Sequence, residues 1–298
     1  MYDICGIGHI TLDKVITPNS TKFMPGGTSY YFSNAVRNMQ LNYLLVTSLG
    51  AGEMHEVDNL RKLGIEINAF ESRHSVYFEN IYGENVDHRT QRVLSKADPF
   101  TDEQVKNIQA NIFHLGPLLA DDMSTDFIKT LAEHGRISLD VQGFLRTVEN
   151  KNVVLADWTA KRETLQLTDI LKANDQEMEV ITGLSDVKEG ASLLAAWGVK
   201  EVVITLGSKG SVIYAGGVFY NIPVFVPDNI ADTTGCGDTY MAGYLSQRIL
   251  GKGPQEAGEF ASAMAALKIE NYGPFSGTPD DVFSFMERQP RKHFSAVV

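Results

Sequence analysis

Cysteine is scarce: Cys5 and Cys236 are the only two in 298 residues. Two thiols build no disulfide framework, which predicts a reducing compartment. Long apolar runs are missing as well, and no window approaches the ~18 uncharged apolar residues of a membrane-spanning helix. Between Met1 and Leu12 there is no basic start, and Asp3 interrupts the short apolar run, so no secretory signal is read. The expectation is a soluble, cytoplasmic protein, for which the sequon Asn19-Ser20-Thr21 has no use. Positive charge is in deficit: the formal net charge is −11, without a Lys/Arg stripe. That argues against nucleic acid and anionic membrane as partners. The seven histidines form no zinc-like cluster. Gly-x-x-x-x-Gly-Lys-Ser/Thr is absent, which excludes a P-loop enzyme, and Gly6-Ile7-Gly8 lacks the third glycine of a dinucleotide fingerprint, since Thr11 stands there. No repeat, low-complexity tract or linker occurs.

What is present concentrates at Asp232-Thr-Thr-Gly235-Cys236-Gly237-Asp238. The stretch follows the strand-like Val224–Val226 and precedes Met241, Tyr244, Leu245, Arg248 and Ile249 at helical spacing. Gly-Cys-Gly therefore falls at a helix N-terminus, where unpaired N–H groups and the helix dipole favour an anion. Two glycines let a phosphate approach the backbone closely. Asp238 lies in the first helical turn beside that anion. An anion cradle with an adjacent base is what phosphoryl transfer to a hydroxyl requires: the nest stabilises charge and the carboxylate takes the proton. Alone, Gly-x-Gly-Asp is also a common tight turn with an acidic cap. The same helix start is expected to lower the pKa of Cys236 and make it reactive, while Cys5, in an apolar strand, is expected to be inert.

The whole heptad resembles the second signature of the ribokinase-like (PfkB) carbohydrate kinases, Asp-Thr-x-Gly-Ala-Gly-Asp, with Cys236 where Ala is usual. The resemblance implies Asp238 as catalytic base and Gly235, Cys236 and Gly237 as anion hole. Other motifs follow in the family's order, from about Asp3 to Gly277. Pro25-Gly26-Gly27-Thr28, with Asn34 in the helical run behind it, resembles the first signature, whose helix packs against the acceptor. Gly8-His9-Ile-Thr-Leu-Asp13 resembles Gly-(Asn/Asp)-x-x-x-Asp, whose last Asp binds acceptor hydroxyls, although His9 departs from the pattern. A carboxylate suits that role because it accepts from two vicinal hydroxyls at once.

Asn174-Asp-Gln-Glu177 resembles the family's Asn-x-x-Glu, implied to order magnesium and phosphates through water; by spacing alone it is equally a helix capping box. Thr205-Leu-Gly207-Ser-Lys-Gly210 resembles the loop that receives nucleotide phosphates, and is otherwise a hairpin turn. Ser262 lies in the small-residue run Phe260–Ala266, which in the family passes under the adenine. The resemblance thus implies ATP and Mg2+. It also implies a candidate K+ site near Asp232 and Thr234, because several family members bind a monovalent cation at the matching loop. Ser138-Leu-Asp140-Val-Gln142-Gly-Phe-Leu-Arg146, Gly116-Pro-Leu118 and Gly27–Asn34 resemble the inositol-kinase-like branch. That implies a polyol or cyclitol acceptor such as myo-inositol, with Gln142 or Arg146 near the acceptor or its phosphate. Arg146 alone is equally a surface cation.

Alternation of elements supports the same architecture. Ile4–Ile10, Tyr43–Leu49, Ile112–Leu115, Ile137–Val141, Asp169–Lys172 and Val202–Leu206 read as strands. Helical patterns lie near 28–40, 53–63, 122–134, 186–197, 237–250 and 255–271. This predicts an α/β fold with a mainly parallel central sheet and helices on both faces, which with the resemblance reads as a ribokinase-like three-layer domain over 1–298. Ligands of such sheets bind beyond the carboxyl ends of the strands. Leu12–Met24 and Ser75–Leu94 break the rhythm and read as a small β lid, about 12–24 and 75–94. Lid closure would keep water from competing for the phosphoryl group, and the resemblance implies a homodimer through the lid. The expected activity is ATP-dependent phosphorylation of a polyol, cyclitol or sugar hydroxyl. The alternatives are a nucleoside kinase of the same fold and a catalytically silent sugar-binding regulator.

Overall fold

The computed structural model describes residues 1–82 and 89–289. The part of the expected lid segment at 83–88 and the C-terminal residues 290–298 lie outside the described residues. In chain order the strands are β1 (Tyr2–Ile7), β2 (Thr11–Thr17), β3 (Ser20–Gly26), β4 (Tyr43–Gly50), β5 (Glu66–Ser72), β6 (Val76–Tyr82), β7 (Arg89–Ser95), β8 (Ala110–Leu115), β9 (Arg136–Asp140), β10 (Arg146–Glu149), β11 (Asn152–Leu155), β12 (Ile170–Asn174), β13 (Glu201–Thr205), β14 (Ser211–Ala215) and β15 (Val218–Ile222). The helices are α1 (Thr28–Val36), α2 (Met54–Lys62), α3 (Thr125–Ala132), α4 (Lys161–Gln166), α5 (Asp175–Thr182), α6 (Val187–Ala196), α7 (Cys236–Ile249), α8 (Pro254–Ile269) and α9 (Pro279–Arg288). Among the described residues no helix is long and apolar enough to cross a membrane.

The central sheet runs β15-β14-β13-β12-β9-β8-β1-β4-β5. It is parallel from β13 to β5, and β14 runs antiparallel to both of its neighbours, β13 and β15. Every residue of β4 is buried, as expected of a strand covered on both faces. Successive side chains point to opposite faces, so Ile4 and Leu45 enter one core while Cys5, Leu44 and Val46 enter the other. The first core is closed by α1, α2, α7, α8 and α9, the second by α3, α4, α5 and α6. The hairpin turn is Gly216-Gly217 with φ +58° and +82°, a pair of positive φ values that glycine adopts without strain.

A second sheet, β10-β11-β7-β6-β2-β3, forms the lid. Its strands are inserted after β1, β5 and β9, so all three insertions leave the carboxyl edge of the central sheet. The lid has its own small core of Val76, Phe78, Val93, Ala97, Leu118 and Leu119. It is larger than the sequence suggested, because β10 and β11 join it through pairing with β7. Val224–Val226 is not a strand. Pro223 and Pro227 flank it and lack the N–H a ladder needs, and the Val226 amide bonds the Gln289 side chain instead.

Local chemistry fixes the helix ends. Ser124 and Asp186 cap α3 and α6, and Thr278 with Asp281 makes a capping box at α9. α7 and α8 pack closely: a Cβ at Gly243 would lie 3.0 Å from the Ala261 Cα. The small residues of α8 therefore serve helix–helix contact.

Candidate active site

Between the carboxyl edge of the sheet and the lid lies a cavity of about 320 Å³. The lid sheet supplies Asp13, Phe78, Gln91 and Arg146, the central strands Asp140 and Lys172, and the connections Gly27, Leu118 and Gln142. The remaining wall is Thr28 and Tyr31 of α1 and the start of α7, from Thr233 to Asp238. The volume sits at the small end of the ~300–1,000 Å³ typical of ligand pockets.

Gly235 stands just before α7 with φ +76°, and a Cβ on it would lie 2.2 Å from the Tyr31 ring. Both conformation and space demand glycine there. A Cβ on Gly237 would come within 3.2 Å of Lys172 Nζ. No side chain caps α7; the Cys236 amide donates to the Thr233 carbonyl at 3.3 Å, and the Gly237 and Asp238 amides remain for an anion. The Asp238 carboxyl is enclosed by protein, although the residue keeps partial exposure through the cavity. Burial and then the Asp140 charge push its pKa up to about 7, against Lys172, the Thr28 hydroxyl bonded to it, and Arg146. A carboxylate tuned to near neutrality is a competent general base.

Lys172 was missed by sequence reasoning. It is buried in the middle of β12, and its Nζ donates to Asp140 Oδ2 at 2.9 Å. The two are register partners across β9 and β12. Burial opposes the ammonium charge, but Asp140, Glu177 and Asp238 outweigh it and raise the pKa. A cation thus stands beside the anion hole. The available signal was one lysine inside Ile170-Leu171-Lys172-Ala173, an otherwise apolar strand. Thr28, Gln91 and Asp140 were also not singled out.

Asp13 lines the cavity from β2, and Thr11 Oγ1 donates to its Oδ1 at 2.6 Å. Gly26 does not line the cavity; a Cβ there would lie 2.7 Å from Asp13 Oδ2, so it makes room for the carboxylate. Gly27, at φ +88°, does line it. Asn34 is not among the lining residues: buried in α1, it donates to the Tyr30 carbonyl at 2.9 Å. His9 is buried away from the cavity, with Nδ1 at 3.0 Å from the Ser48 carbonyl and its ring stacked on Phe100.

Asn174 and Glu177 form the capping box of α5: Asn174 Oδ1 accepts from the Glu177 amide at 2.7 Å, and Glu177 Oε2 from the Asn174 amide at 2.8 Å. Glu177 Oε1 reaches Gln142 at 3.4 Å, which brings it to the cavity edge. Among the described residues no three His, Cys, Asp or Glu side chains gather as a metal cage. Magnesium takes one or two carboxylates, several waters and donor phosphates, and Glu177 fits that pattern. Thr205, Gly207 and Gly210 occupy the turn from β13 to β14, with φ +57° at Gly207 and +90° at Gly210. Ser262 is buried and donates to the Pro223 carbonyl at 2.7 Å. None of these four lines the cavity.

Two expectations need correction. Cys236 is not an activated thiol: burial outweighs the nearby Lys268 charge and pushes its pKa up to about 12. Nor do the oxygens of Asp232 await a cation. Lys268 Nζ donates to the Asp232 carbonyl at 2.7 Å and to its Oδ2 at 3.0 Å, and Thr234 contributes its amide to Oδ1 at 2.9 Å. Although burial opposes it, these bonds hold the Asp232 carboxyl below its ordinary range.

An open α/β sheet with a β lid, an uncapped glycine helix start and a tuned carboxylate define a small-molecule phosphotransferase site. The family model for pfkB family carbohydrate kinases matches residues 8–281, and the chain belongs to that family. It is a phosphotransferase acting on hydroxyl groups, as its relatives are. A cytidine kinase of Thermococcus kodakarensis is 26% identical over 287 residues, covering 93% of this chain and 100% of the relative. A solved pyrophosphate-dependent kinase of the ribokinase family, in complex with a pyrophosphate analog and myo-inositol, has TM-score 0.84 and 26% identity, over 94% of this chain and 99% of that one. Arabidopsis thaliana ribokinase with ribose and ATP has TM-score 0.79 at 18% identity, over 97% of this chain and 99% of that one, and shows the shared fold.

Proposed function

We propose that this chain phosphorylates a hydroxyl of a cyclitol-like polyol, using a magnesium-bound phosphoanhydride as donor. The observation that carries the reading is the convergence of Asp13, Lys172, Asp238 and the α7 start on one cavity of about 320 Å³. Asp13 accepts hydrogen bonds from acceptor hydroxyls. Asp238 removes the proton from the attacking hydroxyl as its oxygen reaches phosphorus, and the anhydride P–O bond breaks to release phosphate or a nucleoside diphosphate. The amides at the α7 start and the Lys172 ammonium stabilise charge on the transferring group. Bound magnesium, ordered by Asn174 and Glu177 through water, would neutralise donor phosphates. The charged and amide side chains of the lining suit a molecule rich in hydroxyls, and likeness to the myo-inositol complex supports the same acceptor.

A nucleoside acceptor is the second reading, favoured by likeness to the cytidine kinase and by Phe78 and Tyr31, two aromatic walls on which a base would stack. The donor is ATP or pyrophosphate. Ser262, expected beneath an adenine, has its hydroxyl committed to Pro223, and pyrophosphate needs no base pocket. Dimerisation through the lid also belongs to the proposal; Phe23 on the β3 edge is exposed, and sedimentation velocity tests it.

The test is product formation across inositols, sugars and nucleosides, each with Mg-ATP and with Mg-pyrophosphate. Turnover of one cyclitol is the expected result, and the better donor settles the second question. Turnover confined to nucleosides refutes the acceptor assignment.

A further inference from the structure

Lys268 is the most deeply buried cation of the described chain away from the cavity: its side chain is fully shielded from water. It lies in the last turn of α8 and crosses to Asp232, three residues before Gly235. Burying an ammonium is costly unless it is paired, and here it is paired to both a main-chain carbonyl and a carboxylate oxygen of one residue. The same carboxylate takes the Thr234 and Gly273 amides, at 2.9 and 3.3 Å. The loop leading into the anion hole is thereby tied to α8 and to the turn after it.

A carbonyl oxygen and a carboxylate oxygen from one loop are hard donors of the kind that bind a monovalent cation. An ammonium has the charge of a potassium ion and nearly its size. We propose that Lys268 is a tethered replacement for such a cation, which holds the anion-hole loop in place and makes the enzyme independent of potassium. A free cation does not share these donors with Lys268, because two like charges would meet within a few ångströms without water between them. Lys268 is a positioning residue; it acts through Asp232 on the amides at the α7 start. The proposal rests on the kinase reading for its activity arm, and on the ion pair alone for its stability arm.

The experiment compares wild type with Lys268→Met in chloride salts of potassium, ammonium, sodium and choline at equal ionic strength. Two quantities are read: turnover, and the melting temperature without substrates. Wild type is expected to turn over and melt equally in all four. Lys268→Met is expected to lose roughly ten- to a hundredfold in turnover, the scale of a misplaced reacting group. Potassium or ammonium, but not choline, is expected to restore much of that loss and to raise the variant's melting temperature. Should no acceptor be turned over, the melting arm alone decides. Potassium stimulation of wild type over choline overturns the proposal, and needs no variant. A folded Lys268→Met whose turnover and melting ignore cation identity also overturns it, since the lysine would then be a packing element only.

Discussion

Asp238 is held in a form that favours chemistry over stability. An unfolded aspartate ionises near ~3.9, whereas this one is raised to about 7 by burial and by Asp140. Between those values the native state keeps a proton that the unfolded state has lost, so the contribution of Asp238 to stability falls as pH rises. Asp238→Asn is therefore expected to melt above wild type at about pH 8 by circular dichroism, by ~2–4 °C for each kcal/mol of relieved strain. The same substitution is expected to remove ~10²–10⁴ of the turnover. Lys172 pulls the Asp238 pKa down, so Lys172→Met is expected to move the inflection of kcat/KM to higher pH and to cost ~10²–10³ in kcat; a profile displaced to lower pH contradicts the geometry. Gly235, Gly237 and Asp238 were legible in the sequence because they stand together in one short motif, in which Gly235 holds a backbone conformation, φ +76°, that glycine adopts without strain. Lys172 was not, because its meaning comes from pairing with Asp140 across β9 and β12, which are 32 residues apart at that pair.

At the scale of elements, the capping box at α5 separates two readings that the sequence left equal. Asn174 and Glu177 do cap the helix, and Glu177 also reaches the cavity edge through Gln142. Asn174→Ala is expected to cost about 1 kcal/mol of stability, the usual worth of a cap, measured by urea denaturation. Glu177→Gln keeps an acceptor oxygen at the capping position but loses the charge. It is expected to melt like wild type while requiring more magnesium for half-maximal rate; an unchanged magnesium requirement would leave Glu177 as a cap only. The inner parallel strands were legible because strands buried on both faces read as apolar runs, such as Tyr43–Leu49 and Val202–Leu206, whereas the edge strand β5, partly exposed along its length, was not. α4, with six residues and an exposed polar face, carries too little pattern to stand out. β10 is an edge strand of the lid and β11 joins it to β7, and their apolar residues Val148 and Val153 make sense only against its small core.

Taken as a whole, the molecule divides one reaction between two sheets. Asp13 rides on the lid, while Asp238, Lys172 and the anion hole belong to the central layer. An acceptor held by Asp13 therefore joins the two, and its binding is expected to slow amide exchange in β2 and β6 more than in the hairpin β14–β15, read by hydrogen–deuterium exchange with mass spectrometry. Equal protection in both would contradict a closing role for the lid. The most direct test of the central claim is the rate of phosphorylated product from about pH 5 to 9, for wild type and Asp238→Asn, with the best acceptor and donor. The account predicts that wild-type kcat/KM rises with pH through an inflection near 7 and then levels, with Asp238→Asn almost inactive throughout. A flat wild-type profile, or an Asp238→Asn variant that keeps wild-type turnover, would contradict it.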